Sequence, residues 1–418
     1  MVPPRENNER LILIVGVICS LWLLDKYFSY IPSPKIVNEE PKLPLTLILK
    51  DTDNDTISII NLRSVTAELP LKLRTTETTT KRPETTKKLR KVDPSIASNE
   101  LYQCYSKTEF NVTDASKIPD LLGSERQPTP DKTIFFLVTN CLHDGMVKIT
   151  ARQACAIESA AVTNPDFDIF VVFSSPSYLQ DELPYGVLQS ILRYKNVFLR
   201  YSNPWRFTKG TPAEQFFKKG EIFKSKYFAA HMSDLLRIIT LWRWGGTYMD
   251  LDIVMKKNIA NLTQNFAGAE SDSIIANGVM NYESKGFGHY IADSIFKDLV
   301  ANYKGDVWAH NGPLCVTRIL ANKICKTWST SKMTADNCHG FRAMPRNAFY
   351  AIYYPQHHYF FEEPYLKEGL ALTKDSILIH VWNKLSSQRR VKVGSKTLYG
   401  VHAEQYCPRV YGSCGDYF

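Results

Sequence analysis

The stretch "SDLLRIITLWRWGGTYMDLDIV", Ser233 to Val254, carries two aspartates inside a run that otherwise belongs in a protein core. Its first half has the apolar spacing of a helix and stops at two glycines, a helix C-terminal signal. Its second half predicts a strand in which Asp250 and Asp252 share one face and Leu251 points the other way. Neighbouring unpaired carboxylates repel and are costly to desolvate, so the pair indicates either a solvated strand end or a divalent-cation site.

Asp234 and Arg237 lie on the preceding helix at i, i+3 spacing, so they share a face. A surface salt bridge is one interpretation. Their immediate neighbours are strongly apolar, however, and an ion pair beside a buried face favours a functional role. Hydrogen bonding to a sugar, with the arginine near a phosphate or ribose, would supply that role.

Strand and helix patterns alternate around this stretch. Short apolar runs bounded by polar residues predict strands over 132–140, 168–175, 196–202 and 247–255. Helical spacing predicts helices over 151–164 and 225–246. Alternation of this kind predicts an α/β fold with a mostly parallel central sheet, whose ligands bind at the carboxyl ends of the strands.

The positive charge of the chain is concentrated outside this folded part. Its 418 residues carry a net charge of +9, and Leu71–Lys91 holds eight Lys/Arg against two Glu, which is +6 of that total. The rest of the chain is nearly balanced. A basic groove for nucleic acid is therefore not expected.

Cysteine usage favours an oxidising compartment. Of nine cysteines, Cys19 lies in an apolar N-terminal run and the other eight form an even set, with no CxxC pair. Eight cysteines allow 105 connectivities, so only the local pair Cys325–Cys338 is suggested. Three Asn-x-Ser/Thr sequons, at Asn54, Asn111 and Asn261, are candidate N-glycan sites and agree with a secretory route.

The first hundred residues predict a membrane anchor and a spacer rather than a catalytic region. The uncharged run of 14 residues at 11–24 is short for a span, but aromatic residues continue it to Ile31. A signal anchor is favoured and a cleaved signal peptide stays possible. The predicted organisation is a cytosolic tail at 1–10, a transmembrane segment at 11–31, a flexible Thr-rich stem at 32–100 and a lumenal catalytic domain at 101–418.

The opening stretch resembles the S-D-x-x-R…G-G-x-Y-x-D-x-D signature of DxD sugar transferases. The stretches "CAIESAAVTNPD" (155–166), "IANGVMNYE" (275–283), "WAHNGPLCVTR" (308–318) and "ILIHVWNK" (377–384) extend the likeness. Over roughly residues 130–410 the chain resembles the α1,4-glycosyltransferases of glycosyltransferase family 32. The combined pattern is far more specific than the two aspartates alone.

This resemblance implies a GT-A-type nucleotide-diphospho-sugar transferase fold, a UDP-sugar donor, Mn²⁺ and retention of the anomeric configuration. Asp250 and Asp252 would hold the metal and the diphosphate. His380 would complete the metal site, although a core histidine at a strand end is an equal alternative.

The resemblance also implies contacts with the donor. Asp234 and Arg237 would contact the donor sugar and ribose, and Val138 and Thr139 would lie near the uracil. The residues expected to face the reacting sugar are Asn277, His310, Asn311 and Gly312. No residue stands out as a covalent nucleophile.

The expected function is that of a Golgi type II membrane α1,4-glycosyltransferase. It would move Gal or GalNAc, with retention, from a UDP-sugar to a terminal sugar of a glycosphingolipid such as lactosylceramide. The alternatives are an α1,4-GlcNAc-transferase acting on O-glycans, a GDP-mannose-dependent mannosyltransferase and a non-catalytic lumenal binding protein. The sequence lacks the His and carboxylate clusters of a two-metal hydrolase.

Overall fold

The computed structural model describes residues 99–106, 117–142, 144–179 and 186–418. The predicted tail, transmembrane segment and nearly all of the stem lie outside the described residues, as do the sequons at Asn54 and Asn111. Within the described ranges, no helix combines the length and the apolar character that a membrane span needs.

A seven-stranded sheet forms the centre of the fold, with a two-stranded sheet beside it. The strands are β1 (Thr133–Val138), β2 (Asp168–Phe173), β3 (Val197–Tyr201), β4 (Gly246–Met249), β5 (Ile253–Met255), β6 (Phe266–Ala269), β7 (Ile275–Tyr282), β8 (Arg342–Met344) and β9 (Leu378–His380). The large sheet has the order β3-β2-β1-β4-β7-β6-β8. Strands β3, β2, β1 and β4 are parallel, β7 is antiparallel to β4 and β6, and β8 is parallel to β6. The predicted α/β fold with a mostly parallel sheet is confirmed.

Helices cover both faces of this sheet. They are α1 (Glu100–Ser106), α2 (Ala151–Thr163), α3 (Val187–Leu192), α4 (Pro204–Thr208), α5 (Glu214–Lys219), α6 (Phe228–Trp244), α7 (Gly286–Ala301), α8 (Pro313–Ile319), α9 (Arg346–Phe349), α10 (Leu366–Thr373), α11 (Asn383–Ser386), α12 (Leu398–Tyr406) and α13 (Pro408–Ser413). The two long helices predicted at 151–164 and 225–246 correspond to α2 and α6.

Strand β1 is apolar from Ile134 to Val138 because both of its faces are buried. Ile134, Phe136 and Val138 pack on the side of α2 and α12, while Phe135 and Leu137 pack on the side of α6 and α7. Side chains alternate along a strand, so burial on both faces favours apolar residues at successive positions. The polar residues begin where the strand ends, and this carboxyl edge is where the site forms.

The single strand predicted over 247–255 is wrong. Strand β4 stays in the large sheet, whereas β5 leaves it and pairs antiparallel with β9, and residues 250–252 form the turn between them. The aspartates are therefore not neighbours on one strand face. The sequence hides this break because the partner of β5 lies more than 120 residues further along the chain.

Three disulfides are present among the described residues: Cys104–Cys141, Cys155–Cys407 and Cys325–Cys338. The suggested pair is confirmed, but two of the eight cysteines, Cys315 and Cys414, are free. Cys315 is buried, and its thiol donates to the Asp298 carboxylate at 3.3 Å. The remaining sequon residue, Asn261, is exposed in a turn.

Candidate active site

Two glycines bring helix α6 back against the sheet. Gly245 and Gly246 follow the helix with positive φ angles of 63° and 82°, a conformation that only glycine adopts without cost. A Cβ on Gly246 would lie 2.5 Å from the carbonyl oxygen of Thr133 in β1. The predicted helix end is thus confirmed, and the reversal places the middle of α6 beside the residues that follow β4.

Arg237 on α6 pairs with the first aspartate of the turn. Its guanidinium lies 3.1 Å from Asp250 Oδ1, and the Tyr248 hydroxyl donates to the same oxygen at 2.6 Å. The guanidinium also lies over the Tyr248 ring, 4.4 Å from its centroid. Burial alone would raise the pKa of Asp250, but Arg237 and then His380 outweigh it, and the net pKa is lowered. Asp250 is therefore held ionised.

The other donors of Arg237 are engaged by protein atoms. They bond to the Asn277 carbonyl oxygen at 2.8 Å and to the Ser233 hydroxyl at 2.6 Å. The predicted partner Asp234 is further away, at 3.8 Å. Arg237 thus positions Asp250 in this structure, and its contact with a ribose or phosphate stays a prediction.

Asp234 instead forms a polar group with Asn277 and Gly312. The Asn277 amide donates to Asp234 Oδ1 at 2.7 Å, and a Cβ on Gly312 would lie 2.6 Å from that same oxygen. Burial raises the pKa of Asp234 to about 6, against the opposing effects of Arg237 and Asn277. The structure thus brings three of the predicted residues together around a carboxylate that can accept further hydrogen bonds.

Strand β9 ends at His380 and places its imidazole beside the two aspartates. His380 pairs with Ile253 in the small sheet, and its Nε2 lies 3.1 Å from Asp252 Oδ1 and 3.7 Å from Asp250 Oδ2. Although burial opposes the charged form, Asp252 and Asp250 raise the pKa of His380 to about 10.

This trio fits a divalent cation. One potential ligand atom from each of Asp250, Asp252 and His380 lies within 4.8 Å of the others. Two carboxylates and an imidazole are a donor set that Mn²⁺ and similar ions accept, and a cation would relieve the repulsion between the carboxylates. The interpretation of His380 as a core histidine explains its burial, but not its position between two carboxylates.

The turn after β9 holds Asp252 from the other side. Trp382 has a positive φ of 55°, rare for a bulky residue, and this turns the backbone so that the Asn383 N–H donates to Asp252 Oδ2 at 2.7 Å. The Trp382 indole N–H is anchored on the Ile352 carbonyl oxygen at 2.9 Å. Both oxygens of Asp252 are thereby oriented by the chain that carries His380.

A cavity of about 1060 Å³ opens beside the trio. Val138 at the end of β1 lines it, and so do Leu251 and Asn383, which flank Asp252 in sequence and in space. Four basic residues also line it: Lys148, Arg152, Arg389 and Arg390. A cavity with a basic lining at the carboxyl edge of a mostly parallel sheet suits an anionic ligand.

Comparison with known proteins agrees with this geometry. Residues 150–274 match the family described as "Glycosyltransferase sugar-binding region containing DXD motif", and residues 284–414 match "Alpha 1,4-glycosyltransferase conserved region". Mouse lactosylceramide 4-alpha-galactosyltransferase is 31% identical over 255 residues, covering 61% of this chain and 69% of the mouse protein. The chain belongs to the α1,4-glycosyltransferase family.

Other members of the α1,4-glycosyltransferase family are also similar. Human lactosylceramide 4-alpha-galactosyltransferase is 28% identical, covering 67% of this chain and 76% of the human protein. Human alpha-1,4-N-acetylglucosaminyltransferase is 24% identical, covering 62% and 74%. The predicted resemblance and enzyme class are confirmed: the protein is a glycosyltransferase.

Three predicted site residues of this α1,4-glycosyltransferase form hydrogen bonds with backbone atoms of the protein. The side-chain amide of Asn311, 2% exposed, exchanges two hydrogen bonds with the Lys304 backbone at 2.9 and 2.7 Å. His310 Nε2 lies 2.9 Å from the Asn302 carbonyl oxygen. The Thr139 hydroxyl donates to the Ala229 carbonyl oxygen at 3.4 Å. Their contacts with sugar or uracil stay predictions.

Sequence reasoning missed four residues of the site: Tyr248, Glu270, Tyr350 and Asn383. Tyr248 occupies the Tyr of the G-G-x-Y-x-D-x-D signature, and Asn383 lies in "ILIHVWNK", so both could have been assigned. Glu270 and Tyr350 have no local signal. They follow β6 and α9, and only the folded chain brings them toward His380.

Proposed function

We propose that this α1,4-glycosyltransferase moves Gal or GalNAc, with retention, from a UDP-sugar to the terminal sugar of a glycosphingolipid, and that it depends on a divalent metal, Mn²⁺. The observation that carries this proposal is the Asp250–Asp252–His380 trio, whose neighbours Leu251 and Asn383 line a cavity of about 1060 Å³. Asp250, Asp252 and His380 would hold the cation, which would supply positive charge to offset that of a diphosphate.

In this proposal the nucleotide occupies the cavity, with the uracil near Val138 and Thr139. The carboxyl end of β1 provides an apolar wall there, and Val138 is one of the lining residues. The basic residues around the cavity lower the cost of bringing a diphosphate close to two aspartates.

The donor sugar would lie against Asp234, Asn277 and Gly312. A buried carboxylate and a carboxamide offer hydrogen bonds to neighbouring hydroxyls, and the lack of a side chain at Gly312 lets its backbone approach this pair closely. Asn311, which directly precedes Gly312, would contribute by holding this turn through its hydrogen bonds with the Lys304 backbone.

A cation held by the trio would neutralise charge that develops on the leaving diphosphate. Arg237 keeps Asp250 ionised and in place, and the backbone N–H of Asn383 orients Asp252. The acceptor hydroxyl would attack the sugar from the face that the diphosphate leaves, which gives retention without a covalent enzyme intermediate.

The relatives and the chain itself support the proposed acceptor and location. Two similar proteins are named for lactosylceramide, a glycosphingolipid. Three disulfides and an exposed sequon at Asn261 are compatible with an oxidising lumen. We therefore propose a single-pass type II Golgi protein anchored through residues 11–31, with a lumenal catalytic domain and N-glycans at Asn54, Asn111 and Asn261.

The test is an assay of the full-length protein in detergent with Mn²⁺. UDP-Gal, UDP-GalNAc, UDP-GlcNAc and GDP-mannose are supplied in turn, with and without lactosylceramide, and nucleotide release and lipid product are measured. We expect product from UDP-Gal or UDP-GalNAc, lost with EDTA and in Asp252→Ala, and retained in the exposed control Asp336→Ala.

Each other outcome has a definite meaning. Product only from UDP-GlcNAc or GDP-mannose would move the protein to another donor class. Folded, Mn²⁺-loaded protein that turns over no donor would contradict the proposal and favour a binding protein.

A further inference from the structure

The Glu270 carboxylate and the Tyr350 hydroxyl lie near His380, and neither residue lines the cavity of about 1060 Å³. Tyr350 is 1% exposed, and among the described residues none forms a hydrogen bond with its hydroxyl. A buried hydroxyl without a partner is costly, and a site that receives a ligand explains such a group.

The Tyr350 hydroxyl faces the metal-binding trio. A Cβ on Gly278 would lie 3.2 Å from this hydroxyl and 2.7 Å from Asp250 Oδ2. The Tyr350 ring lies 5.4 Å from the His380 ring. The hydroxyl therefore stands close to the Asp250 oxygen that is not engaged by Arg237.

Glu270 approaches the same place from the end of β6. The Tyr350 ring packs so closely on Gly268, two residues before Glu270, that a Cβ there would lie 2.6 Å from a ring carbon. Burial raises the pKa of Glu270 to about 6, opposed by His380. Within the part of the chain that the structure describes, no group donates a hydrogen bond to its carboxylate.

Aromatic side chains continue from this pair. The Trp382 ring lies 5.5 Å from that of Tyr350 and 6.0 Å from that of Tyr354, and Tyr353 lies 4.4 Å from Tyr354. A carboxylate, a hydroxyl and aromatic faces together match a sugar, which has polar hydroxyls at its edge and apolar C–H groups on its faces.

The order of the strands indicates whether the sugar bound here would be the donor sugar or the acceptor sugar. The cavity lies at β1, the aspartates follow β4, Asn277 lies in the neighbouring strand β7, and Glu270 follows β6, the next strand. A nucleotide-sugar that extends from β1 across β4 places its sugar near β7. Glu270, after β6, would then lie on the far side of the donor sugar, where the acceptor sugar would bind.

We propose that Glu270 and Tyr350 form the acceptor subsite. The Glu270 carboxylate accepts, and the Tyr350 hydroxyl donates, hydrogen bonds with neighbouring hydroxyls of the terminal acceptor sugar, whose ring lies on the aromatic side chains. This inference rests on the proposed function, because it assumes that a nucleotide-sugar binds at the trio.

The test separates the acceptor from the donor. Full-length Glu270→Gln and Tyr350→Phe proteins are assayed with UDP-Gal and methyl β-lactoside, and UDP release without acceptor is measured in parallel. We expect the KM for the lactoside to rise by about tenfold or more, a loss of about 1.4 kcal/mol or more. The KM for UDP-Gal and the acceptor-free release should stay within about twofold of wild type.

Two variants control for structural effects. Tyr282→Phe removes the hydroxyl of another fully buried tyrosine, which pairs with Gly246 at the opposite end of β4. Glu404→Gln neutralises an exposed glutamate on α12. Neither change should alter the KM for the lactoside, and all four variants should keep the thermal midpoint within a few degrees.

An unchanged KM for the lactoside in both site variants would overturn the proposal. So would an equal loss of acceptor-free UDP release, because the pair would then act on the donor. Saturation-transfer NMR measures the binding of methyl β-lactoside in the presence of Mn²⁺ and UDP, and this readout does not need turnover. Failure of the wild-type protein to release UDP from any UDP-sugar would contradict the proposed function instead.

Discussion

At the scale of single residues, the site depends on how closely Gly312 approaches Asp234 and Asn277. Their hydrogen bond of 2.7 Å lies under the backbone of Gly312, with no space for a methyl group. Small displacements of groups that position a reacting sugar lower the reaction rate strongly. The close approach of the Gly312 backbone to Asp234 and Asn277 leaves no space for a side chain at this position.

Gly312→Ala should lower kcat/KM for the donor by about 10- to 100-fold, because the new methyl group displaces Asp234 or Asn277. Donor titrations at saturating acceptor measure this. Gly412→Ala is the control, since a Cβ there meets no atom within 4 Å. Full activity in Gly312→Ala would show that the Asp234–Asn277 pair does not position the donor.

Arg237→Met should abolish metal-dependent turnover and lower the free energy of unfolding by about 3–5 kcal/mol, because Asp250 loses its buried cationic partner. Chemical denaturation measures the second effect. Arg126→Met removes an ion pair whose arginine side chain is 53% exposed, and should cost about 1 kcal/mol or less. Equal losses in the two variants would contradict the role given to Arg237.

At the scale of elements, regular patterns were predictable and long-range pairings were not. The strands that became β1, β2 and β3, and helix α6 with its glycine end, could be predicted from apolar runs and spacing. The break between β4 and β5 could not, because "TYMDLDIVM" alternates without interruption and only pairing with β9 draws β5 away. Glu270 and Tyr350 escaped prediction for the same reason, since each reaches the site through tertiary packing.

The Cys155–Cys407 disulfide joins α2 to the junction of α12 and α13 across 252 residues. Replacing both cysteines by alanine should lower the free energy of unfolding by about 2–4 kcal/mol. Urea denaturation measures this, with Cys414→Ala as a control that removes a cysteine outside any disulfide. A double variant as stable as that control would contradict a stabilising role for the link.

At the scale of the whole molecule, burial of histidine makes stability depend on pH. His402 is 3% exposed, and burial, reinforced by Lys256, lowers its pKa to about 3. In the unfolded chain His402 binds a proton near pH 6.5, whereas in the folded chain it stays neutral until far lower pH. The contribution of neutral His402 to the free energy of unfolding is therefore fully present above pH 6.5 and is lost as the pH decreases from there toward 3.

His402→Gln should flatten this dependence. Between pH 6.5 and 4.5 the wild-type protein should lose up to about 1.4 kcal/mol per pH unit through His402 alone, and the variant should lack that contribution. Denaturation curves across this range test it, with exposed His339→Gln as the control. Parallel pH profiles for wild type and His402→Gln would contradict the burial effect.

The cation site at Asp250, Asp252 and His380 is tested most directly by asking whether UDP binding depends on Mn²⁺. UDP is titrated by calorimetry into the full-length protein with and without Mn²⁺, in wild type and Asp252→Ala. We predict that Mn²⁺ tightens UDP binding by at least about tenfold in wild type and has no effect in the variant. Equal UDP affinity with and without Mn²⁺ in wild type, or a Mn²⁺ effect that survives in Asp252→Ala, would contradict the account.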